Sequence, residues 1–208
     1  MITLAGLKPR ILQLLGDPAG LRYSDAQLAE ACRQALTDYD HFAPLILTVV
    51  ITVSEGGRYL RLTAPPGLLG IRRVVFPFEG EDSPPTDRYF WYWEAGAPCL
   101  QFSGPAYPKS GDRLQLTCAV RNRLYGLDDA EETTIPADLD SLLVRGVAGY
   151  AMMMRAIALG ETVNARPAQN RLLERSFTLI QDYKSQVAAV ARSAHIPPSP
   201  FAERGWEE

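Results

Sequence analysis

Few residues in this chain are of a type and spacing that could do chemistry. The two histidines, His41 and His195, stand outside any metal-ligand spacing, and a lone histidine in that setting is structural or solvated. Asp128, Asp129, Glu131 and Glu132 gather negative charge that a hard cation would need. They lack the alternating ligand positions and the glycine of a calcium loop, so they read as a solvated acidic linker. Gly67-Leu68-Leu69-Gly70 has glycines but no Lys or Ser/Thr to hold a phosphate and magnesium, and no G-x-S-x-G nucleophile turn occurs. Cys32, Cys99 and Cys118 are odd in number and far apart, which is neither a disulfide framework nor a zinc pattern. They read as small core hydrophobes. The residues therefore predict no catalytic group, no cofactor site and no metal site.

Three other stretches suggest contact rather than catalysis. Tyr89-Phe90-Trp91-Tyr92-Trp93 is the densest aromatic run. On a strand, Tyr89, Trp91 and Trp93 share one face and Phe90 and Tyr92 the other. One face can fill a β-core while the other packs on a neighbour; alternatively the exposed row forms a subunit contact or stacks on sugars or bases. Gly146 and Gly149 lie inside a long apolar helix pattern, where each glycine costs about 1 kcal/mol relative to alanine. Their presence predicts that another element passes very close. The end of the chain carries Ile196, Pro197, Pro198, Pro200, Phe201 and Trp206. Its prolines favour an extended segment, and its apolar anchors are of the kind that dock in a groove at little ordering cost.

Composition narrows the class. At 208 residues, 47% of them hydrophobic, the chain fits one domain, or one domain with a large insertion, and can bury a sizeable core. A net charge of -3 argues against a free-standing nucleic-acid binder. No run reaches the roughly 18 apolar residues of a membrane span, and the first residues lack the charged and apolar regions of a signal peptide.

The elements that must position these stretches follow from periodicity. Leu4, Leu7, Ile11, Leu14 and Leu15 have helical spacing, and Pro9 predicts a kink or a later start. Ser24-Asp25-Ala26-Gln27 reads as a capping box opening a second helix that ends at Pro44. From Leu45 the period changes to that of strands. Six are expected, with Glu55-Gly56-Gly57 as a hairpin turn, Glu79 to Pro85 as a polar loop, and the last strand at Arg113 to Val120. The strands suit a small antiparallel sandwich or barrel. A third helix is expected from Thr133 to Gly160, with Thr133 and Thr134 as cap residues, Pro136 in the first turn and Gly160 as a left-handed stop. Its apolar stripe is Leu139, Leu142, Leu143, Val147, Tyr150, Met154 and Ile157. The last helix runs from about Pro167 to Arg192, burying Leu172, Leu173, Phe177, Ile180, Tyr183, Val187 and Val190. The expected class is α+β: a four-helix core from residues 1–44 and 128–192, a β-domain inserted at 45–127, and an extended tail at 193–208.

Leu4, Leu7 and Leu14 to Pro18, followed by Tyr23 to Leu28, resemble tailed-bacteriophage head–tail connector proteins of the adaptor or head-completion type. So does the passage from Leu124-Tyr125-Gly126-Leu127-Asp128 through Thr133-Thr134-Ile135-Pro136 into an Ala/Gly-rich helix. The resemblance covers most of the chain in order. It implies a non-enzymatic virion protein built around a helical bundle, with a β-domain inserted in some members. Such proteins form a homo-oligomeric ring, commonly of twelve copies, below the portal in the neck. The ring is assembled in the host cytoplasm, away from any membrane, lets DNA pass through its channel, and docks the next neck or tail protein. The resemblance further implies that Ile196, Pro197, Pro198, Phe201 and Trp206 bind the portal protein, while Tyr89, Trp91, Trp93, Gly146 and Gly149 are candidates for subunit contacts. A mildly acidic channel suits passive DNA passage because it does not grip phosphates. The alternatives are a stopper or tail-completion ring, or a carbohydrate-binding module that uses Trp91 and Trp93.

Overall fold

The computed structural model describes residues 2–80, 83–160 and 166–193. It is an α+β fold with four helices and two antiparallel sheets. Two compact units are distinguished among the described residues, a helical unit of residues 2–43 and 122–193, and a β-unit of Pro44–Arg121.

In the helical unit, α1 is Leu4–Leu14, capped by the Thr3 hydroxyl, which accepts from the Gly6 N–H at 3.0 Å. Pro9 sits within this helix, neither ending it nor delaying its start. Pro9 and Ala5 are both exposed, so water can serve the carbonyl that loses its partner. The turn that follows is organised by Asp17. Its buried carboxylate accepts the N–H groups of Leu21, Arg22 and Tyr23 at 3.1, 2.7 and 3.2 Å. α2 is Asp25–Phe42, and the Ser24–Gln27 capping box is complete in both directions.

α3 is Asp140–Gly160, preceded by a 3-10 turn at Ala137–Leu139. The helix thus starts later than expected, because Thr133 and Thr134 have other partners. The Thr133 hydroxyl accepts from the Tyr125 N–H and donates to the Ile2 carbonyl, while that of Thr134 accepts from the Arg123 N–H and donates to Asn122. Gly160 is the last helical residue and is not left-handed. α4 is Arg166–Ser193. The buried stripe of α4 is Ser176, Ile180, Tyr183, Val187 and Ala191. Phe177, expected inside, is 55% exposed, and Ile157 of α3 is 59% exposed. In each case the preceding small residue, Ser176 or Ala156, is fully buried, and a step of about 100° around the helix carries the larger one out. By length and composition Ala137–Gly160 could cross a membrane, but most of it is buried within the protein, as a core helix is.

The β-unit has seven strands, one more than expected: β1 Leu45–Thr52, β2 Tyr59–Arg61, β3 Leu68–Val75, β4 Pro85–Thr86, β5 Tyr89–Glu94, β6 Ala97–Phe102 and β7 Arg113–Val120. The additional strand, β4, is a two-residue pairing on β3 at the end of the expected polar loop. One sheet has the order β1-β7-β3-β4 and the other β2-β6-β5. Both supply the shared core, with Val74, Leu114, Leu116 and Cys118 from the first and Leu60, Leu100 and Phe102 from the second. Glu55-Gly56-Gly57 is therefore not a hairpin turn but a corner between sheets. The corner packs on the loop before β7: Val53 and Gly57 donate to the carbonyls of Asp112 and Pro108, and a Cβ on Gly56 would come within 2.5 Å of the Lys109 Cα. The true hairpin is β5–β6, closed by Ala95 and Gly96, both at positive φ, as a two-residue turn of this hand requires.

Candidate interaction surfaces

The residues that looked most like chemistry are held in structural roles. His41 lies in the last turn of α2 and meets the Phe42 ring edge-on at 5.0 Å. In the acidic linker, Asp128 receives a forked pair of bonds from Arg33, whose Nη2 lies 2.6 Å away, and Glu132 pairs with Arg123 at 3.3 Å. The Arg33 guanidinium holds the Asp128 carboxyl below the usual carboxylate range. Among the described residues, no group of three or more His, Cys, Asp or Glu side chains is placed to hold a metal ion. The three cysteines are free and buried, and burial pushes the Cys32 thiol up to about 12. His195 lies outside the described residues.

Gly146 and Gly149 sit where α3 meets α4. A Cβ on Gly146 would lie 2.9 Å from three carbons of the Tyr183 ring, and one on Gly149 would lie 2.8 Å from Cγ1 of Ile180 and 3.2 Å from its backbone nitrogen. The element that passes close to both glycines is α4 of the same chain, so they are covered within the helical unit rather than offered to a second copy. Tyr183 is fully buried, and its hydroxyl donates to the Ala35 carbonyl at 2.7 Å, which fixes the ring over Gly146. Burial drives the Tyr183 phenol well above its ordinary pKa. Nearby, the Tyr150 hydroxyl donates to Asp38, which also pairs with Lys184 at 3.1 Å. This three-way link among α2, α3 and α4 was not anticipated from sequence, because its members are far apart in the chain and individually unremarkable.

The aromatic strand is divided between inside and outside. Tyr89 and Trp91 are half-buried against the β-core, opposite Phe102 and Leu100 of β6, and the Tyr89 hydroxyl donates to the Arg72 carbonyl at 3.3 Å. Trp93 continues the same row, with its ring edge-on to Trp91 at 6.5 Å, and is 48% exposed. The Tyr89–Trp91–Trp93 row is thus no open platform for stacking. On the opposite face, Phe90 pairs with Gln101 of β6, which pairs with Tyr59 of β2. Phe90 is 63% and Tyr59 64% exposed, and the Gln101 amide donates to the Tyr59 hydroxyl at 3.2 Å. In the first sheet, β1 exposes Ile46 and Val50. The β-branched character of β1 and the shared face of Phe90 and Tyr92 are visible in the sequence, but which strands flank them is not.

Hollows are present in both units. An apolar one of about 350 Å³ in the helical unit is lined by Leu4, Ile11, Leu28 and Tyr125, with the Lys8–Asp25 ion pair (2.6 Å) beside it. A more polar cleft of about 510 Å³ in the β-unit lies between the end of β1 and β2, lined by Ile51, Val53, Leu60 and Leu62. The tail residues Ile196, Pro197, Pro198, Phe201 and Trp206 lie outside the described residues.

No known protein family's profile matches the chain. No curated protein sequence matches it. A chain in a solved structure described as the neck of an empty GTA particle computed with C6 symmetry is similar to it, at 15% identity over 71% of this chain and 76% of that chain, with a TM-score of 0.32.

Proposed function

We propose that this protein is a structural head–tail adaptor of a tailed phage, forming a ring under the portal that extends the DNA channel and docks the next neck or tail protein. The observation that supports this reading most is the arrangement of the chain. α1–α2 and α3–α4 pack as one helical unit, and the β-unit lies between α2 and α3 in the order of the chain. That is the plan implied by the resemblance carried by Leu4 to Leu28 and Leu124 to Pro136. The surface chemistry agrees with an assembly role. Exposed large apolar side chains occur on both units, Ile46, Val50, Tyr59, Phe90, Trp93 and Tyr107 on the β-unit and Leu21, Tyr125, Ile157 and Phe177 on the helical unit. The neighbouring pair Tyr59 and Phe90, either side of Gln101, forms the kind of apolar patch that marks a contact surface. The mild net charge of -3 suits a channel wall that DNA must slide past. On this reading the anchors Ile196, Phe201 and Trp206 engage the portal.

The test is a pull-down with the portal protein encoded by the same genome, using the full chain and a truncation ending at Ala194. Recovery of the portal ring by the full chain and its loss with the truncation is the expected result. Recovery by both keeps the adaptor role and removes the tail's part in it. Binding only to a tail protein assigns a stopper or tail-completion ring instead. Binding to neither contradicts the neck reading.

A further inference from the structure

The β-unit has four strand edges, and they are not alike. β4 is two residues long and begins with Pro85, and β2 is three residues long and carries Arg61. Short edges, proline and charge are the devices by which sheets avoid pairing with other chains. β1 has none of them. It is eight residues, LILTVVIT, without charge or proline, and its register with β7 runs from Leu45 to Thr52 without a bulge. β5 is six residues, and its one charge, Glu94, is the last of them. Among the described strands, β1 is joined only to β7 and β5 only to β6.

Both edges also leave the core incompletely covered. The core-facing residues of β1 (Leu45, Leu47, Val49 and Ile51) are half-buried, as are Tyr89 and Trp91 of β5. The two edges lie on opposite flanks of the β-unit. The 510 Å³ cleft places β1 on the flank of β2, whereas the Tyr89–Arg72 bond places β5 beside β3, on the far side of β7 from β1.

We propose that β1 of one copy pairs edge to edge with β5 of the next, and that this strand pairing is a subunit contact of the ring. The proposal rests on the ring reading above and specifies how its copies join. Because the two edges are unlike and on opposite flanks, the contact is heterologous, so it repeats from copy to copy and closes a ring where the rotation permits. Each edge supplies the backbone donors and acceptors the other needs. β-Branched residues facing aromatic ones make favourable cross-strand pairs, and the paired stretches bring almost no charge to desolvate. A two-fold pairing of β1 with itself would leave β5 uncovered.

The experiment uses the full chain carrying Thr48→Cys or Phe90→Cys, both at exposed positions, against a background of buried native cysteines. The two variants are treated with a short thiol-to-thiol cross-linker, separately and as an equal mixture, at the highest concentration the protein tolerates. The expected result is a cross-linked dimer in the mixture that is absent from either variant alone and is lost when Val50→Lys is added. Cross-links between like variants only, or none in the mixture, overturn the proposal. Portal capture without mixed cross-links keeps the ring reading and removes this contact. Mixed cross-links without portal capture keep the contact and remove the neck reading.

Discussion

The α3–α4 seam and the outer edges of β1 and β5 look alike in sequence. The α3 side of the seam, Gly146-Val147-Ala148-Gly149, and the strands β1 and β5 are each poor in charge and of a composition that suits close contact, yet they meet different fates. At the seam the contact is made within the chain: Tyr183 and Ile180 occupy the space that side chains at Gly146 and Gly149 would fill. At the strand edges the partners run out, and half-buried side chains and open ladder edges remain. The difference is one of closure. A glycine pair in a helix accommodates one neighbour and is then satisfied, whereas a strand always has two sides.

Substitutions can break this contrast. The largest effect is expected at the seam. Tyr183→Ala empties a fully buried site and should cost about 3–5 kcal/mol in denaturant unfolding. An undiminished midpoint would mean the ring does not hold the seam. Gly146→Ala is next. It gains about 1 kcal/mol in helix propensity but drives a Cβ into a ring pinned by its bond to Ala35, an overpacking of about 1–3 kcal/mol, so the net change is destabilising. A stabilised variant would show that α4 moves aside freely.

Smaller effects sharpen the contrast at the surface. The carboxyls of Asp128 and Asp140 lie below their ordinary range, through bonds from Arg33 and Arg10. A depressed folded pKa contributes stability that is present above the unfolded value, about 3.9, and is lost as pH falls through the folded one. Asp128→Asn should therefore lower stability at neutral pH by about 0.2–1 kcal/mol, as exposed ion pairs do, and make the acid loss shallower in a stability-versus-pH series. An unchanged acid profile would remove Asp128 from it. The smallest effect is expected at β1. Thr48→Lys should leave unfolding of the isolated chain within about 0.5 kcal/mol, because the Thr48 side chain is exposed. A larger loss would mean that this side chain is covered within the chain.

Local signals were legible in the sequence. The Ser24–Gln27 capping box, the β5 strand and the switch of period at Leu45 depend on near neighbours, and they fold as their spacing indicates. Partnership at a distance was not legible. Thr133 and Thr134 have cap chemistry, but the backbone of Tyr125 and Arg123 takes their hydroxyls, so the helix begins later. Glu55-Gly56-Gly57 has turn chemistry that does not reveal that its two strands enter different sheets. Phe177 has the right period but is one residue out of phase with a stripe set by Ser176. Of the candidate contact surfaces, the aromatic run stands out in the sequence. The exposed row of Phe90, Gln101 and Tyr59 does not, because it is assembled from three strands.

The central claim, a ring-forming neck component, is tested most directly by weighing assemblies. Native mass measurement of the same genome's portal ring, with and without the full chain, reads out whether whole copies add, and how many. The account predicts a single heavier species that gains a complete ring of copies, twelve being expected, with no partial occupancies between. A portal mass unchanged at saturating chain would contradict it.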